Sequence, residues 1–250
     1  MKKIAILLGA VALLSTTALA NKTGVGIGVG TANSLYKGIG NTAYPIPLFD
    51  IEYNNFYVAG TDIGYTLWNN DNFTLSAFVN PMDGFRVKAS KMDNGYKDIK
   101  DRDLQVMGGA RLDVNTGLGG IYSGLAVSGG EHGMKGRLGF YRPYQIDEKF
   151  TVVPSVHMIY YSKDYTDYYF GVDSDELVSN RRQNTKLTST YSPEGAYSVG
   201  ANLIAEYKLR DNLALNLFLG AEKYSSEIKD SPLVEHDYIL MAGTGVKYYF

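Results

Sequence analysis

Apolar and polar residues alternate with a period of two along most of the chain, and the C-terminal segment shows this pattern clearly. One face of that segment carries Tyr238, Leu240, Ala242, Thr244, Val246, Tyr248 and Phe250. The other face carries Met241, Gly243, Gly245 and Lys247. Because successive side chains of a β-strand point to opposite faces, this spacing predicts a strand with one apolar and one polar face. Similar alternation near residues 25–30, 104–114, 197–209 and 212–220 indicates an all-β fold.

A transmembrane barrel explains these strands better than a soluble β-sandwich, although a sandwich also alternates. The predicted strands reach about 10–14 residues, whereas strands in soluble sheets average about five or six. Their apolar faces are free of charge, while the polar faces carry glycine and charged residues. A lipid-facing outer surface and a wet lumen account for both features. The 21 tyrosines fit the aromatic girdles of such a barrel. We therefore predict a transmembrane antiparallel β-barrel.

We place twelve strands along the chain, with ten as the alternative. They lie at about residues 22–31, 44–53, 56–68, 72–80, 84–90, 103–114, 118–128, 134–143, 150–162, 195–209, 212–225 and 237–250. An even number puts both chain ends on the periplasmic side. The stretch 81–103 decides the count. If 84–90 belongs to a loop, twelve strands require that 56–68 splits at 60–62.

The polar faces carry nearly balanced charge. We place in the lumen Arg86, Lys88, Arg111, Lys208, Lys247, Asp50, Glu52, Asp62, Asp113, Glu206 and Glu222. Five positive against six negative charges predict internal ion pairs rather than a strongly selective filter. A twelve-stranded barrel is wider than the filled eight-stranded barrels and narrower than the open sixteen-stranded porins. A conducting pore and a filled lumen therefore both stay open.

The first twenty residues have the features of a secretory signal peptide. Lys2 and Lys3 precede an apolar run over 4–14, and Ala18-Leu19-Ala20 is a small-x-small cleavage pattern. We predict a signal peptide over 1–20 and one barrel domain over 21–250. The run is too short to cross a bilayer as a helix, and the remaining chain has no stretch of about 18 apolar residues.

Composition and charge exclude several classes of function. The chain contains no cysteine, which excludes disulfides, cysteine-ligated metals and lipid attachment to an N-terminal cysteine. With 24 basic and 26 acidic residues, it lacks the excess positive charge that phosphate binding requires. We therefore expect no nucleic-acid partner.

The C-terminus predicts the localisation. Phe250 ends the chain, and Tyr248 lies two positions earlier on the same face. This ending resembles the signal that the barrel assembly machinery reads, so we assign Tyr248 and Phe250 to an assembly signal. We expect the outer membrane of a Gram-negative bacterium, with outer-membrane lipid and the assembly machinery as partners.

Five segments in order resemble the MipA/OmpV family of outer-membrane proteins. They are Tyr36-Lys37-Gly38, Asp101-Arg102 with Gly109, Tyr168-Tyr169-Phe170-Gly171-Val172, Asp230-Ser231-Pro232-Leu233-Val234 and Gly245-Val246-Lys247-Tyr248-Tyr249-Phe250. The loop 173–190, which contains Arg181 and Arg182, matches no family element. The resemblance implies a monomeric barrel. For the role of the founding member, the resemblance implies a scaffold that brings the membrane-bound lytic transglycosylase MltA together with a penicillin-binding murein synthase. Other relatives are linked to adhesion, osmotic response or antibiotic entry.

These family-like segments also have plain structural interpretations. Ser231-Pro232 would start a strand or a turn. Tyr168, Tyr169 and Phe170 would form an aromatic girdle or a loop plug, with a partner-binding patch as the alternative.

The residues show no arrangement that supports catalysis, and we predict no enzyme, no cofactor and no metal. His157 should face the lumen near Ser155, but positions i and i+2 of a strand lie about 7 Å apart, too far for a Ser–His pair unless another strand contributes. His132 and His236 lie near acidic residues at external strand ends, where a metal site is only the minor alternative. The acidic segment 173–176 lacks EF-hand spacing, so we interpret it as solvated charge.

Three functions are compatible with these features. The first is a non-enzymatic scaffold for peptidoglycan enzymes that acts through the periplasmic rim. The second is a small passive channel for ions or small solutes, because the predicted strand faces are wet and charged. The third is a surface adhesin that uses the 163–194 loop.

Overall fold

A computed structural model describes residues 23–177 and 186–250, and the predicted signal peptide lies outside them. The strands are β1 (Gly24–Ala32), β2 (Thr42–Tyr53), β3 (Phe56–Ala59), β4 (Asp62–Asn69), β5 (Phe73–Asp83), β6 (Gln105–Asn115), β7 (Tyr122–Gly130), β8 (Gly133–Tyr141), β9 (Tyr144–Gln145), β10 (Phe150–Tyr161), β11 (Ala196–Arg210), β12 (Leu213–Tyr224) and β13 (Tyr238–Tyr249). The helices are α1 (Lys163–Phe170), α2 (Ser174–Leu177) and α3 (Ser226–Lys229), with a 3₁₀ turn at Ala89–Lys91.

These strands form a closed antiparallel barrel. They belong to one thirteen-stranded sheet, in which β1 pairs with β13 and β10 pairs with β11 to close the ring. The two-residue β9 continues the line of β8 and pairs with β10, which leaves twelve strands around the wall. The predicted barrel and its twelve strands are confirmed. Among the described residues, no helix is long and apolar enough to cross a membrane.

The two ends of the barrel differ in the length of their connections. Short turns at 54–55, 70–72, 116–121, 146–149 and 211–212 lie at the end that holds both chain termini. The connections at the other end include 33–41, 84–104, 162–195 and 225–237. Outer-membrane barrels place short turns in the periplasm and long loops outside, which orients the chain as predicted.

Two details of the predicted strand order are wrong, and they cancel in the count. Residues 84–90 lie in the long loop after β5, with one isolated bridge from Val87 to Arg102. The apolar residues of this stretch do alternate with polar ones, but they face other loops instead of lipid. The predicted strand 56–68 is split by a tight turn at 60–61 into β3 and β4. Twelve strands therefore result from the alternative in which 56–68 splits.

The short β3–β4 hairpin leaves part of the wall without a ladder. Of the residues in β2, β3 pairs only with Asp50–Tyr53. Residues 42–49 of β2 therefore pair with β1 alone among the described strands. On the facing edge, β5 pairs with β4 only as far as Val79. Pro45 and Pro47 lie on one edge of this gap and Pro81 lies on the other. Because proline cannot donate to a ladder, it fits a strand edge without a neighbour.

Candidate functional site

The external mouth of the barrel is filled by packed loops, which we call the cap (residues 33–41, 84–104, 162–177, 186–195 and 225–237). Its buried apolar side chains form one hydrophobic cluster: Leu35, Tyr36, Phe85, Val87, Ala89, Met92, Ile99, Tyr165, Tyr169, Phe170, Val172, Leu187, Ile228, Leu233 and Val234. The cluster continues into the upper inward positions of the strands, at Tyr44, Ile46, Met107, Tyr161, Tyr224, Ile239 and Met241. A hydrophobic core therefore lies across the external half of the barrel interior.

Helix α1 is the centre of the cap. It begins after Ser162, whose side chain accepts a hydrogen bond from the Tyr165 backbone N–H, as an N-cap residue does. Tyr165, Tyr169 and Phe170 are all buried. Helical spacing places residues four apart on the same face, so Tyr165 and Tyr169 point together into the barrel. The loop-plug interpretation of 168–170 fits this packing.

The cap brings together the family-like segments, which lie far apart in the sequence. The Tyr36 hydroxyl donates to the Tyr169 carbonyl at 3.0 Å, and the Tyr36 ring stacks on Phe170 with centroids 5.6 Å apart. Ser231 Oγ donates to the Phe170 carbonyl at 2.7 Å. Lys37 Nζ donates to the Pro232 carbonyl at 2.7 Å. The segments 36–38, 168–171 and 231–232 therefore lock one another in place.

Two glycines of these segments fit positions where a side chain would clash. Gly38 has a φ of +78°, and a Cβ there would lie 2.4 Å from the Asp93 backbone nitrogen. Gly171 ends α1, and a Cβ there would lie 2.4 Å from the Asp167 carbonyl oxygen. Close backbone approach of this kind tolerates only glycine.

A buried ion pair ties the cap together, and no sequence pattern had indicated it. Arg102 Nη2 lies 3.0 Å from Glu176 Oε1, and both side chains are almost fully buried. Arg102 also donates to the Gly171 carbonyl at 3.1 Å. Glu176 accepts the backbone N–H groups of Lys100 and Asp173. The interpretation of 173–176 as solvated charge is therefore wrong for Glu176, whereas Asp173 is exposed and pairs with Lys100.

Arg86 and Lys88, which we predicted to face the lumen, belong to the cap surface. Arg86 lies 3.7 Å from Asp103, and Lys88 pairs with Asp101 and Asp103. Burial acts to raise the pKa of Asp101, but hydrogen bonds from Lys88 and the Ala89 N–H outweigh it and lower the pKa. These two cations therefore stabilise the outside of the cap.

The cap contains buried tyrosines whose hydroxyl groups resist ionisation. Burial raises the pKa of Tyr36 and Tyr165 well above its ordinary value, and it also raises the pKa of Tyr169. The Tyr165 hydroxyl donates to Asp83 at 3.1 Å, which links the cap to the lumen below.

Below the cap, ion pairs line the lumen. Arg111 pairs with Asp113 at 2.7 Å, Lys247 pairs with Asp50 and Glu206, and Lys135 pairs with Asp83. The register places the predicted lumen residues Asp62 and Glu222 inside as well, and Glu52 and Lys208 at the periplasmic opening. The predicted lumen set missed Asp83, Lys135 and Arg137, although each lies on the polar face of a strand.

The lumen histidine is held by a carboxylate and not by a serine. His157 Nε2 lies 2.6 Å from Glu222 Oε2, and its Nδ1 lies 3.4 Å from Asn202. Among the described residues, the Ser155 hydroxyl has no hydrogen-bond partner. Nucleophilic catalysis requires a serine within hydrogen-bond reach of its base, and this geometry does not supply it. Within the described ranges, no three His, Cys, Asp or Glu side chains lie close enough to hold a metal ion.

The C-terminal residues lie at the periplasmic end of the wall. Tyr248 pairs with Val25 and Leu213 on the outward face, and Phe250 is 75% exposed. Their rings contact each other with centroids 5.1 Å apart. Both are placed where another protein could reach them, and their role as an assembly signal stays a prediction.

The closed barrel, its apolar outer surface and its long external loops define the class of protein: an outer-membrane β-barrel. The family model for the MltA-interacting protein MipA matches residues 25–250, and the chain belongs to this family. Its localisation is the outer membrane.

Relatives agree with this assignment over nearly the full length. A 24 kDa outer membrane protein of Pasteurella multocida (strain Pm70) is 31% identical over 246 residues, covering 95% of this chain and 94% of that protein. The MltA-interacting protein of Escherichia coli (strain K12) is 26% identical over 260 residues and covers both chains completely. Among solved structures, the NanC porin is similar with a TM-score of 0.50 at 8% identity, over 90% of this chain and 100% of that one. This last likeness concerns the fold alone.

Proposed function

We propose that the protein is a non-enzymatic outer-membrane scaffold whose periplasmic rim holds a lytic transglycosylase and brings it to a penicillin-binding murein synthase. The observation that carries the proposal is the cap, because its hydrophobic core fills the external mouth. A barrel closed in this way acts through its surface and not through its lumen. The full-length similarity to a protein named for its interaction with MltA supports the choice of partner.

The external cap is on the wrong side of the membrane for murein enzymes, so the contact surface has to be built from periplasmic turns. Two neighbouring turns expose large apolar residues, Leu118 at 69% and Ile146 at 60%. The turns are adjacent because β7 pairs with β8. Large apolar residues exposed on adjacent turns favour a protein contact. We call Leu118 and Ile146 the rim pair.

A binding measurement with matched charge variants tests the scaffold. The refolded barrel, residues 21–250, is immobilised and titrated with a soluble form of an MltA-type lytic transglycosylase. We expect Leu118→Asp with Ile146→Asp to weaken binding by at least about tenfold, the loss expected when an apolar contact is replaced by buried charge. Asn55→Asp with Asn72→Asp adds the same two charges at other periplasmic turns and should bind like the wild type. A barrel whose folding is verified by its mobility shift on heating before electrophoresis, but which does not bind the transglycosylase, contradicts the proposal.

The adhesin alternative has less support from the described loop residues. Within 163–194, Tyr165, Tyr169, Phe170 and Leu187 are buried in the cap and are not presented to another cell. Arg181 and Arg182 lie outside the described residues. Unchanged host-cell binding after deletion of residues 178–185 would remove this alternative.

A further inference from the structure

The outer surface of the barrel carries an open groove on β8, β10, β11 and β12. In the register, Val156 pairs with Phe140 on one side and Ala201 on the other, and Ala201 pairs with Ala221. The two alanines are flanked by larger neighbours, and the resulting groove has a volume of about 600 Å³. This volume lies within the range of about 300–1,000 Å³ that is typical of small-molecule sites.

The groove coincides with a break in the wall. The β8–β10 ladder stops at the pair Tyr141–Ser155 and resumes as β9–β10 at Tyr144–Val152. Between these pairs lie Pro143 and Pro154, neither of which has a donor for a ladder. The Arg142 N–H bonds instead to the Pro154 carbonyl at 3.2 Å. Such an irregularity bends the strand and redirects its side chains.

The break places a cation at the periplasmic end of the groove. Arg142 lines the groove, and its guanidinium lies 4.5 Å from the centre of the Tyr144 ring. It also lies beside Gly119 and Gly120 of the periplasmic β6–β7 turn. Across residues 23–177 and 186–250, no carboxylate forms an ion pair with it. Arginine and tyrosine at this depth lie at the level of lipid headgroups.

We propose that this groove is a binding site for one phospholipid of the periplasmic leaflet. One acyl chain lies along Val156, Ala201 and Ala221, and the phosphate is bound by Arg142. The groove faces the hydrocarbon region, so its natural occupant is a lipid chain and its apolar walls need no polar partner. The guanidinium complements a phosphate with two parallel hydrogen bonds. The site adjoins the turn that carries Leu118, but neither residue of the rim pair lines the groove, so either proposal stands if the other fails.

Lipid retention measured by native mass spectrometry tests the site. The refolded barrel in detergent is given dioleoyl phosphatidylglycerol or, as the phosphate-free probe, dioleoylglycerol. We expect one tightly retained phosphatidylglycerol per barrel and weaker retention of dioleoylglycerol. Arg142→Gln should weaken retention of the phospholipid by at least about tenfold, because the charge-assisted hydrogen bonds to the phosphate are lost, and should leave retention of dioleoylglycerol unchanged.

A pair of matched alanine variants controls for the lipid-facing surface in general. Ala201→Phe fills the groove and should abolish stoichiometric retention of both lipids. Ala110 is also an outward, exposed alanine and likewise has an alanine and a valine as cross-strand neighbours (Ala77 and Val127), but it does not line the groove. Ala110→Phe should therefore retain lipid like the wild type. Equal retention by Ala201→Phe, or equal loss from both alanine variants, overturns the proposal. Retention of a co-purifying protein in place of lipid also overturns it.

Discussion

The two halves of the barrel interior have opposite chemistry. The external half is filled mostly with aromatic and aliphatic side chains, with the Lys135–Asp83 and His157–Glu222 pairs beside them, whereas the periplasmic half is lined with the ion pairs of Arg111 and Lys247. The change occurs within single strands. On β2 the inward side chains pass from Tyr44 and Ile46 to Asp50, and on β13 they pass from Ile239 and Met241 to Lys247.

This difference shows how one chain combines a plug with a wet barrel. Where the inward positions are apolar, loops are drawn in because their own apolar residues gain a place to be buried. Where the inward positions are charged, the side chains of the wall form ion pairs with one another, within a strand or across the lumen, and need no plug. The cap is therefore specified jointly by the loops and by the inward side chains at the external ends of the strands.

Removal of an aromatic ring from the cap should have the largest effect and should change the external half without changing the strand wall. Phe170 is completely buried and contacts Tyr36 and Phe85. We expect Phe170→Ala to destabilise the cap by about 3–5 kcal/mol, the usual cost of a cavity of this size. Hydrogen exchange should rise across 84–104 and 163–172 while the strands stay protected. Phe73→Ala, which removes a partly exposed ring from the wall, should leave exchange in the cap unchanged.

The buried ion pair offers a second test of the cap. Glu176→Gln leaves the Arg102 charge buried without its partner, and we expect a loss of about 3 kcal/mol in cap stability. The double variant Arg102→Met with Glu176→Met removes both charges and should be less destabilised than Glu176→Gln. Proteolysis within the cap at neutral pH reports both effects. Equal sensitivity of wild type and Glu176→Gln would show that the pair does not hold the cap.

A lumen variant should affect the other half alone. Lys247 lies between Asp50 and Glu206, so Lys247→Met leaves two partly buried carboxylates without a cation. We expect the barrel to lose about 1–3 kcal/mol of stability. This loss should lower the temperature at which heating changes its electrophoretic mobility. Exchange in the cap should not change. A rise in cap exchange as large as that of Phe170→Ala would mean that the two halves are not separate.

The smallest effect concerns alkaline pH. Burial raises the pKa of Tyr36, Tyr165 and Tyr169 in the folded cap, so the native state holds these protons more tightly than the unfolded chain. Their contribution to stability is complete below the unfolded pKa of about 10 and is lost as the pH rises above it. Ultraviolet titration should show these tyrosines ionising together with cap opening. Ionisation in a cap that stays protected would contradict this assignment.

Much of the barrel was predictable because period-two alternation acts locally. The predicted strands 195–209, 212–225 and 237–250 differ from β11, β12 and β13 by about one residue at each end. The cap was not predictable in the same way. Phe85 and Val87 alternate with polar residues as a strand does, and only long-range contacts show that they pack against Tyr36 and Phe170.

One sequence signal does mark the cap. At the external ends of β2, β10 and β13 both faces are apolar, as in Ile159-Tyr160-Tyr161 and Tyr238-Ile239-Leu240-Met241. A strand that faces lipid on one side and a plug on the other has this composition. The Arg102–Glu176 pair has no such signal, because its partners are far apart in the chain and each resembles a solvated loop charge.

Single-channel recording in planar bilayers shows most directly whether the cap closes the barrel. We expect no conductance steps from the folded wild-type barrel, residues 21–250. Phe170→Ala, whose cap is weakened, should produce intermittent steps in the same bilayers. Steady wild-type conductance, unchanged in Phe170→Ala, would contradict a closed barrel and would favour the passive channel.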